Sequence, residues 1–303
     1  VKYWLTFNEI NSVLHEPFLS GGIYTEKEKL SRQDLYQAVH HELVASALAT
    51  KIAHEMMPEA KIGCMVLNIP IYPLTPHPDD MIEVMERRLM NDFFLDVHVR
   101  GRYPGYMKRY FKEHKIQVQF APEDEEILKH TVDFISFSYY MSICASADPD
   151  QGEAGRGNLM GGVMNPYLEA SEWGWQIDPV GLRYALVSLY ERYEKPLFIV
   201  ENGFGAIDVL KEDKTCDDDY RIEYLRAHIK EMKKAVELDG VDLMGYTPWG
   251  CIDLVSFTTG ELRKRYGFIY VDKNDDGTGS GKRYKKKSFA WFRRVIETNG
   301  EEL

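Results

Sequence analysis

Short apolar runs alternate along this chain with longer segments of helical periodicity. The runs are Lys2 to Phe7, Lys61 to Leu67, Val132 to Tyr139, Leu197 to Val200 and Leu243 to Trp249, each suited in length and composition to a buried parallel strand. Within Asp34 to Met57 the apolar residues Leu35, Val39, Leu43, Ala47 and Ile52 recur at helical spacing, which predicts a helix with its N-cap at Ser31 or Asp34. Asp80 to Val99 and Tyr106 to Glu113 read the same way. Pro179 to Tyr193 predicts a helix with proline in its first turn and Leu182, Leu186 and Leu189 on one face. Asp217 to Leu238 begins acidic and carries Lys230, Lys233 and Lys234 near its end, which complements the helix dipole. Lys287 to Thr298 predicts a closing helix, while Glu9 to Ser31, the proline-rich Pro70 to Pro78 and the glycine-rich Ala145 to Gly162 predict loops, the last of them mobile.

Strands alternating with helices imply parallel βαβ units joined by right-handed crossovers. The expected fold class is therefore α/β, a (β/α)8 TIM barrel. The strands recur at intervals of about 50 to 70 residues, roughly twice what a minimal barrel unit needs, so the loops at one rim must be long. Five units do not close an eight-stranded barrel, and three more would take roughly 180 further residues. Val1 enters a strand pattern at once, with no polar lead-in and no methionine. The expectation is a single domain over residues 1–303 that lacks the N-terminal part of its barrel, with two open sheet edges that would also support a homo-oligomer.

Composition narrows the class. The 303 residues are 44% hydrophobic and 13% aromatic, enough for one large domain with a sizeable core. A formal net charge of −11 argues against a nucleic-acid surface. Cys64, Cys144, Cys216 and Cys251 lie far apart in no metal-binding spacing, so all four are expected as buried thiols, without disulfide or structural zinc. No apolar run reaches membrane-spanning length and the N-terminus lacks signal-peptide features, so the expected location is cytoplasmic.

The candidate chemistry sits where two of the strands end. Pro196-Leu-Phe-Ile-Val-Glu-Asn-Gly203 is an apolar run that stops in a carboxylate, an amide and a glycine, and Tyr3-Trp-Leu-Thr-Phe-Asn-Glu9 has the same grammar. A single glutamate at a strand end could be an N-cap or a surface carboxylate. Two of them at the C-terminal rim of a barrel are what glycoside hydrolysis requires: one carboxyl kept protonated for the leaving oxygen, one ionised to attack the anomeric carbon.

Taken together, Thr6-Phe-Asn-Glu9, Phe198-Ile-Val-Glu-Asn-Gly203 and Tyr246-Thr-Pro-Trp249 resemble glycoside hydrolase family 1, the retaining β-glycosidases. The resemblance covers essentially the whole chain and starts at the family's fourth barrel strand, which implies about units 4 to 8 of the barrel. It implies Glu9 as acid/base, Glu201 as nucleophile, Asn8 as a ligand of the sugar 2-hydroxyl, Tyr139 as the tyrosine that contacts the nucleophile, and Trp249 as the platform under the sugar ring. Trp175 lies where the family often has an aglycone-side tryptophan, and Ser138 stands where much of the family has asparagine.

Most of the family follows the platform tryptophan with a glutamate that binds the sugar 4- and 6-hydroxyls, whereas this chain has Ser256 there. Lys264 and Tyr266 follow, so a hydroxyl, an ammonium and a phenol could converge on a phosphate. This looks like the Ser…Lys-x-Tyr signature of 6-phospho-β-glycosidases, with Arg263 or Arg265 as alternative cations. Phe257 leaves glucose against galactose open at that position, while the wider context is closer to the glucosidases. The implied activity is retaining hydrolysis of 6-phospho-β-glucosides to glucose 6-phosphate, on a phosphorylated disaccharide or aryl β-glucoside, with no metal or cofactor. The alternatives are a 6-phospho-β-galactosidase, or an inactive remnant that binds phospho-sugar or partners only. A true 303-residue chain is expected to be inactive alone and to associate, with full activity needing roughly 180 further N-terminal residues.

Overall fold

The five expected strands form one parallel sheet in the computed structural model, which describes the whole chain except residues 27–28, 156–161 and 258. In chain order the elements are β1 (Tyr3–Leu5), a 3₁₀ turn (Ile10–Leu14), α1 (Pro17–Gly21), α2 (Arg32–Met56), β2 (Lys61–Leu67), β3 (Ile71–Pro73), α3 (Pro78–Arg100), α4 (Gly105–Glu113) and α5 (Asp124–Ile127). There follow β4 (Phe134–Ser138), β5 (Ile143–Ala145), α6 (Pro179–Tyr193), β6 (Leu197–Glu201), α7 (Asp219–Glu237), β7 (Leu243–Tyr246), β8 (Ile269–Val271), β9 (Arg283–Lys285) and α8 (Lys287–Glu297). The main sheet runs β1-β2-β4-β6-β7, so each strand lies beside the next one in the chain after a helical crossover. This is an open five-stranded portion of a (β/α)8 barrel, with β1 and β7 at its edges.

The two faces of the sheet bury different things. Cys64 and Val66, Ile135 and Phe137, and Leu197 and Ile199 point outward into one core with Val39 and Leu43 of α2, Phe93 and Phe94 of α3, and Leu182 and Leu186 of α6. The alternate residues point inward, where Phe134 meets Tyr3 edge-on at 6.1 Å and Phe198 at 6.4 Å. Gly63 makes room for that ring, because a Cβ there would lie 2.4 Å from Phe134. Local signals place the helices on the outer face. Ser31 caps α2 by accepting the Asp34 N–H at 3.1 Å, and Asp178 caps α6 by accepting the Gly181 N–H at 2.8 Å ahead of Pro179.

Several expectations need correction. β1 is shorter than Lys2 to Phe7, and β7 stops at Tyr246, because each is an edge strand bonded on one side only. The Glu9 to Ser31 loop contains a 3₁₀ turn and a short helix. Two small pairings, β3 with β5 in parallel and β8 with β9 in antiparallel, are too short to leave a periodic signal. Residues 156–161 of the glycine-rich segment expected to be mobile lie outside the described residues. Its flanks are tied together, with Cys144 bridged to Val163. Cys64, Cys144 and Cys216 are buried, but Cys251 is exposed because it follows the edge strand into the rim loops. Among the described residues, no helix is long and apolar enough to cross a membrane.

Candidate active site

Glu201 is the last residue of β6, and a one-residue irregularity aims it. Phe137 pairs with Ile199, but Ser138 pairs with Glu201, so Val200 is an extra residue in β6 at that point. Strict alternation would send Glu201 outward with Leu197 and Ile199. The bulge turns it to the inner face beside Ser138. Asn202 then locks the turn: its amide donates to the Tyr139 carbonyl at 2.7 Å, its oxygen accepts from the Tyr246 hydroxyl at 2.8 Å, and its carbonyl accepts the Trp249 N–H at 2.8 Å. The strand-end amide thereby fixes Trp249 relative to Glu201.

Glu9 is held differently. Its backbone is left-handed, at φ 42° and ψ 52°, uncommon for a side chain larger than glycine and a mark of over-determined local structure. The Ser12 N–H returns to its carbonyl at 2.7 Å, the Ser12 hydroxyl donates to its carboxylate at 3.3 Å, and the Ser138 hydroxyl donates to its other oxygen. Asn11, two residues on, clamps the end of β2 by exchanging hydrogen bonds of 2.8 Å with Leu67 N–H and C=O.

Both carboxylates line one cavity of 240 Å³, together with Asn8, Leu67, Tyr140, Trp175, Trp249, Ser256, Phe257 and Tyr266. Burial raises the Glu9 carboxyl, partly offset by the Ser138 and Ser12 hydrogen bonds. Burial and the charge of Glu9 push Glu201 up to about 7, against the Tyr140 hydrogen bond that lowers it. Burial thus disfavours charge on both carboxyls, and the charge of Glu9 further disfavours ionising Glu201.

The structure brings Asn8, Glu9, Glu201, Trp249, Ser256 and Tyr266 to the cavity wall and leaves Tyr139 off it. The Tyr139 hydroxyl donates to the Asp178 carbonyl at 2.5 Å, in the core. It is Tyr140 whose hydroxyl donates to Glu201, at 2.8 Å. The reason is parity: Phe134, Ser136, Ser138 and Tyr140 fall on the inner face of the β4 segment, while Ile135, Phe137 and Tyr139 face the helices. Applied to Phe134 onward, the same alternation would have selected Tyr140 from the sequence. Ser138, flagged there only as a departure, serves Glu9.

Lys264 also stands off the wall. Its ammonium lies 3.8 Å from the centroid of the Trp175 ring, 5.4 Å from that of Trp173 and 5.8 Å from that of Tyr266, and it makes no hydrogen bond among the described residues. Burial lowers it to about 8, while the charge of Glu261 acts the other way. The flanking arginines are committed elsewhere. Arg263 is exposed on Glu261, and Arg265 donates to Asp253 at 3.2 Å and to the carbonyls of Val271 and Lys273. Behind Arg265, Lys286 bridges Asp208 and Asp253, Arg221 joins Asp208 to Asp218, and Arg221 also donates to the Arg265 carbonyl at 2.8 Å. Burial alone would raise Asp208, but Arg221 and Lys286 hold it below its usual value. Asp253 in addition accepts the Gly267 N–H at 2.9 Å, so this cluster anchors the Ser256 to Tyr266 segment at both ends. Among the described residues no group of His, Cys, Asp and Glu side chains is arranged to hold a metal ion.

Residues 1–301 match the family model of glycosyl hydrolase family 1. The chain belongs to that family. Within family 1 it is 65% identical to a 6-phospho-beta-glucosidase of Clostridium longisporum, 58% identical to an aryl-phospho-beta-D-glucosidase of Bacillus subtilis (strain 168) and 53% identical to a 6-phospho-beta-glucosidase of Escherichia coli (strain K12). All of this chain is covered in each comparison, but the chain spans only 65%, 65% and 64% of those relatives. Among solved structures it is similar to a family 1 b-glucosidase from Thermotoga maritima, with a TM-score of 0.84 at 29% identity over all of this chain and 65% of that one.

Proposed function

We propose that this chain is part of a single catalytic domain that hydrolyses 6-phospho-β-glucosides with retention, giving glucose 6-phosphate and an aglycone or sugar. The observation that carries the reading is the buried Lys264 ammonium, which has no hydrogen-bonded partner among the described residues, next to a cavity that already holds two carboxylates, Ser256 and Tyr266. A desolvated cation of this kind gains most from a ligand that brings an anion. The similarity to relatives named as phospho-β-glucosidases supports the same substrate class.

In this reading the phosphate lies among Ser256, Lys264 and Tyr266, and the sugar ring stacks on Trp249, with Asn8 at its 2-hydroxyl. Glu201 attacks the anomeric carbon as Glu9 protonates the departing oxygen. A covalent glycosyl-enzyme forms, and water assisted by Glu9 then releases glucose 6-phosphate. Tyr140 favours the ionised nucleophile by donating to it. The test is Glu201→Ala on a nitrophenyl 6-phospho-β-glucoside. Turnover should be lost, because no covalent intermediate forms, and added azide should give the α-configured glycosyl azide. A β-configured azide, or turnover undiminished without azide, removes Glu201 from that role.

A further inference from the structure

The acid whose charge acts on the Lys264 ammonium is kept from pairing with it. Glu261 lies close enough for its charge to act on Lys264, yet its carboxylate is engaged on the other side. One oxygen accepts the Trp173 indole N–H at 3.0 Å, and the other accepts from the Arg263 guanidinium at 2.6 and 2.8 Å. These hydrogen bonds hold the Glu261 carboxyl below its usual value, so it is ionised at neutral pH. Lys264 is left with the faces of Trp175, Trp173 and Tyr266 for company. Ring quadrupoles stabilise a cation without cancelling its charge. A carboxylate in the same place would cancel it, and an incoming phosphate would then have to displace a partner.

From this arrangement we infer that Trp173 and Arg263 are specificity-determining residues that sequester Glu261 and so keep Lys264 free for the 6-phosphate. The inference rests on the phospho-glucoside reading. Trp173 does two things with one ring: its N–H holds the acid, and its face lies toward the base. Arg263 is more exposed, so its share is the smaller. The Ser256 N–H donates to the Glu261 carbonyl at 2.9 Å, which ties the acid's backbone to the serine at the cavity wall.

The experiment measures binding of glucose 6-phosphate and of glucose by calorimetry, and takes the ratio of the two dissociation constants. Trp173→Phe keeps an aromatic face and removes the donor, so the preference for glucose 6-phosphate should fall about tenfold as Glu261 turns to Lys264. Adding Glu261→Gln to Trp173→Phe should restore the preference to within about threefold of the parent, since the competing charge is gone. Arg263→Met, an exposed change that the fold tolerates, should lower the preference by about threefold. An unchanged preference in Trp173→Phe, or a fall that Glu261→Gln does not rescue, overturns the inference. The unsubstituted chain and Lys264→Met separate this from the reading beneath it: no preference for glucose 6-phosphate in the unsubstituted chain overturns the phospho-glucoside reading itself, and a preference that survives Lys264→Met removes Lys264 as the phosphate's partner and overturns the inference alone.

Discussion

Lys264 and Arg265 are adjacent, both cationic and both buried, and they live in opposite surroundings. Arg265 faces a cluster in which Asp253, Lys286, Asp208, Arg221 and Asp218 pair acid with base, and the carbonyls of Val271 and Lys273 accept from its other donors. Lys264 faces rings and a cavity, and no oxygen accepts from it among the described residues. The separation comes from strand-like alternation where Arg265 bridges Ala206, which sends residues 264 and 266 to one side and 265 to the other. The contrast shows how buried charge divides into two kinds. A fully paired cluster fixes a segment in place, and a buried cation left unpaired on that segment is available to a ligand.

The largest effect should come from breaking the paired side. Lys286→Met takes one buried cation from both Asp208 and Asp253, leaving two carboxylates to Arg221 and Arg265 alone, and should cost about 3–5 kcal/mol of unfolding free energy in a urea titration. A loss below about 1 kcal/mol would mean that the cluster does not hold the segment. Lys264→Met should do the reverse, leaving stability equal or higher while weakening binding of the 6-phosphorylated ligand by about 2–5 kcal/mol. The pH dependence sharpens this. Lys264 holds its proton less tightly in the folded chain, at about 8 against an ordinary 10.5, so over that window the unfolded chain binds more protons and stability rises with pH. Glucose 6-phosphate affinity should fall over the same range as the ammonium deprotonates. In Lys264→Met both slopes should flatten, and slopes that persist would assign them to another group.

The sequence made some of this legible and hid the rest for identifiable reasons. β2 and α6 are legible to the residue because their signals are local: a mostly apolar run, and a proline in the first turn followed by a leucine stripe. Both glutamates were readable as strand-end carboxylates, since a charge at the close of an apolar run is conspicuous. The bulge at Val200 that aims Glu201 was not, because it is a relation between two strands and leaves no mark on either alone. Tyr139 and Tyr140 are chemically alike, and only their parity within β4 tells them apart. The Trp173 and Trp175 cage around Lys264 joins two loops distant in sequence, so nothing in either loop announces the other.

The smallest expected effect tests that parity. Tyr140→Phe removes the hydroxyl that donates to Glu201 at 2.8 Å, a hydrogen bond that lowers the Glu201 carboxyl against burial and the charge of Glu9. Without it Glu201 should ionise at higher pH, so the acid limb of the kcat/KM profile on a phosphorylated aryl glucoside should move upward. Activity near neutrality should fall by about 1.5–3 kcal/mol, the worth of a hydrogen bond to a charged group. Tyr139→Phe removes a hydrogen bond of 2.5 Å to the Asp178 carbonyl, at the start of α6 and away from either carboxylate. It should cost about 1 kcal/mol of stability and leave the acid limb where it was. Measured side by side, a limb that moves in Tyr139→Phe and stays in Tyr140→Phe would reverse the assignment, and with it the claim that the inner face of β4 is the one that serves Glu201.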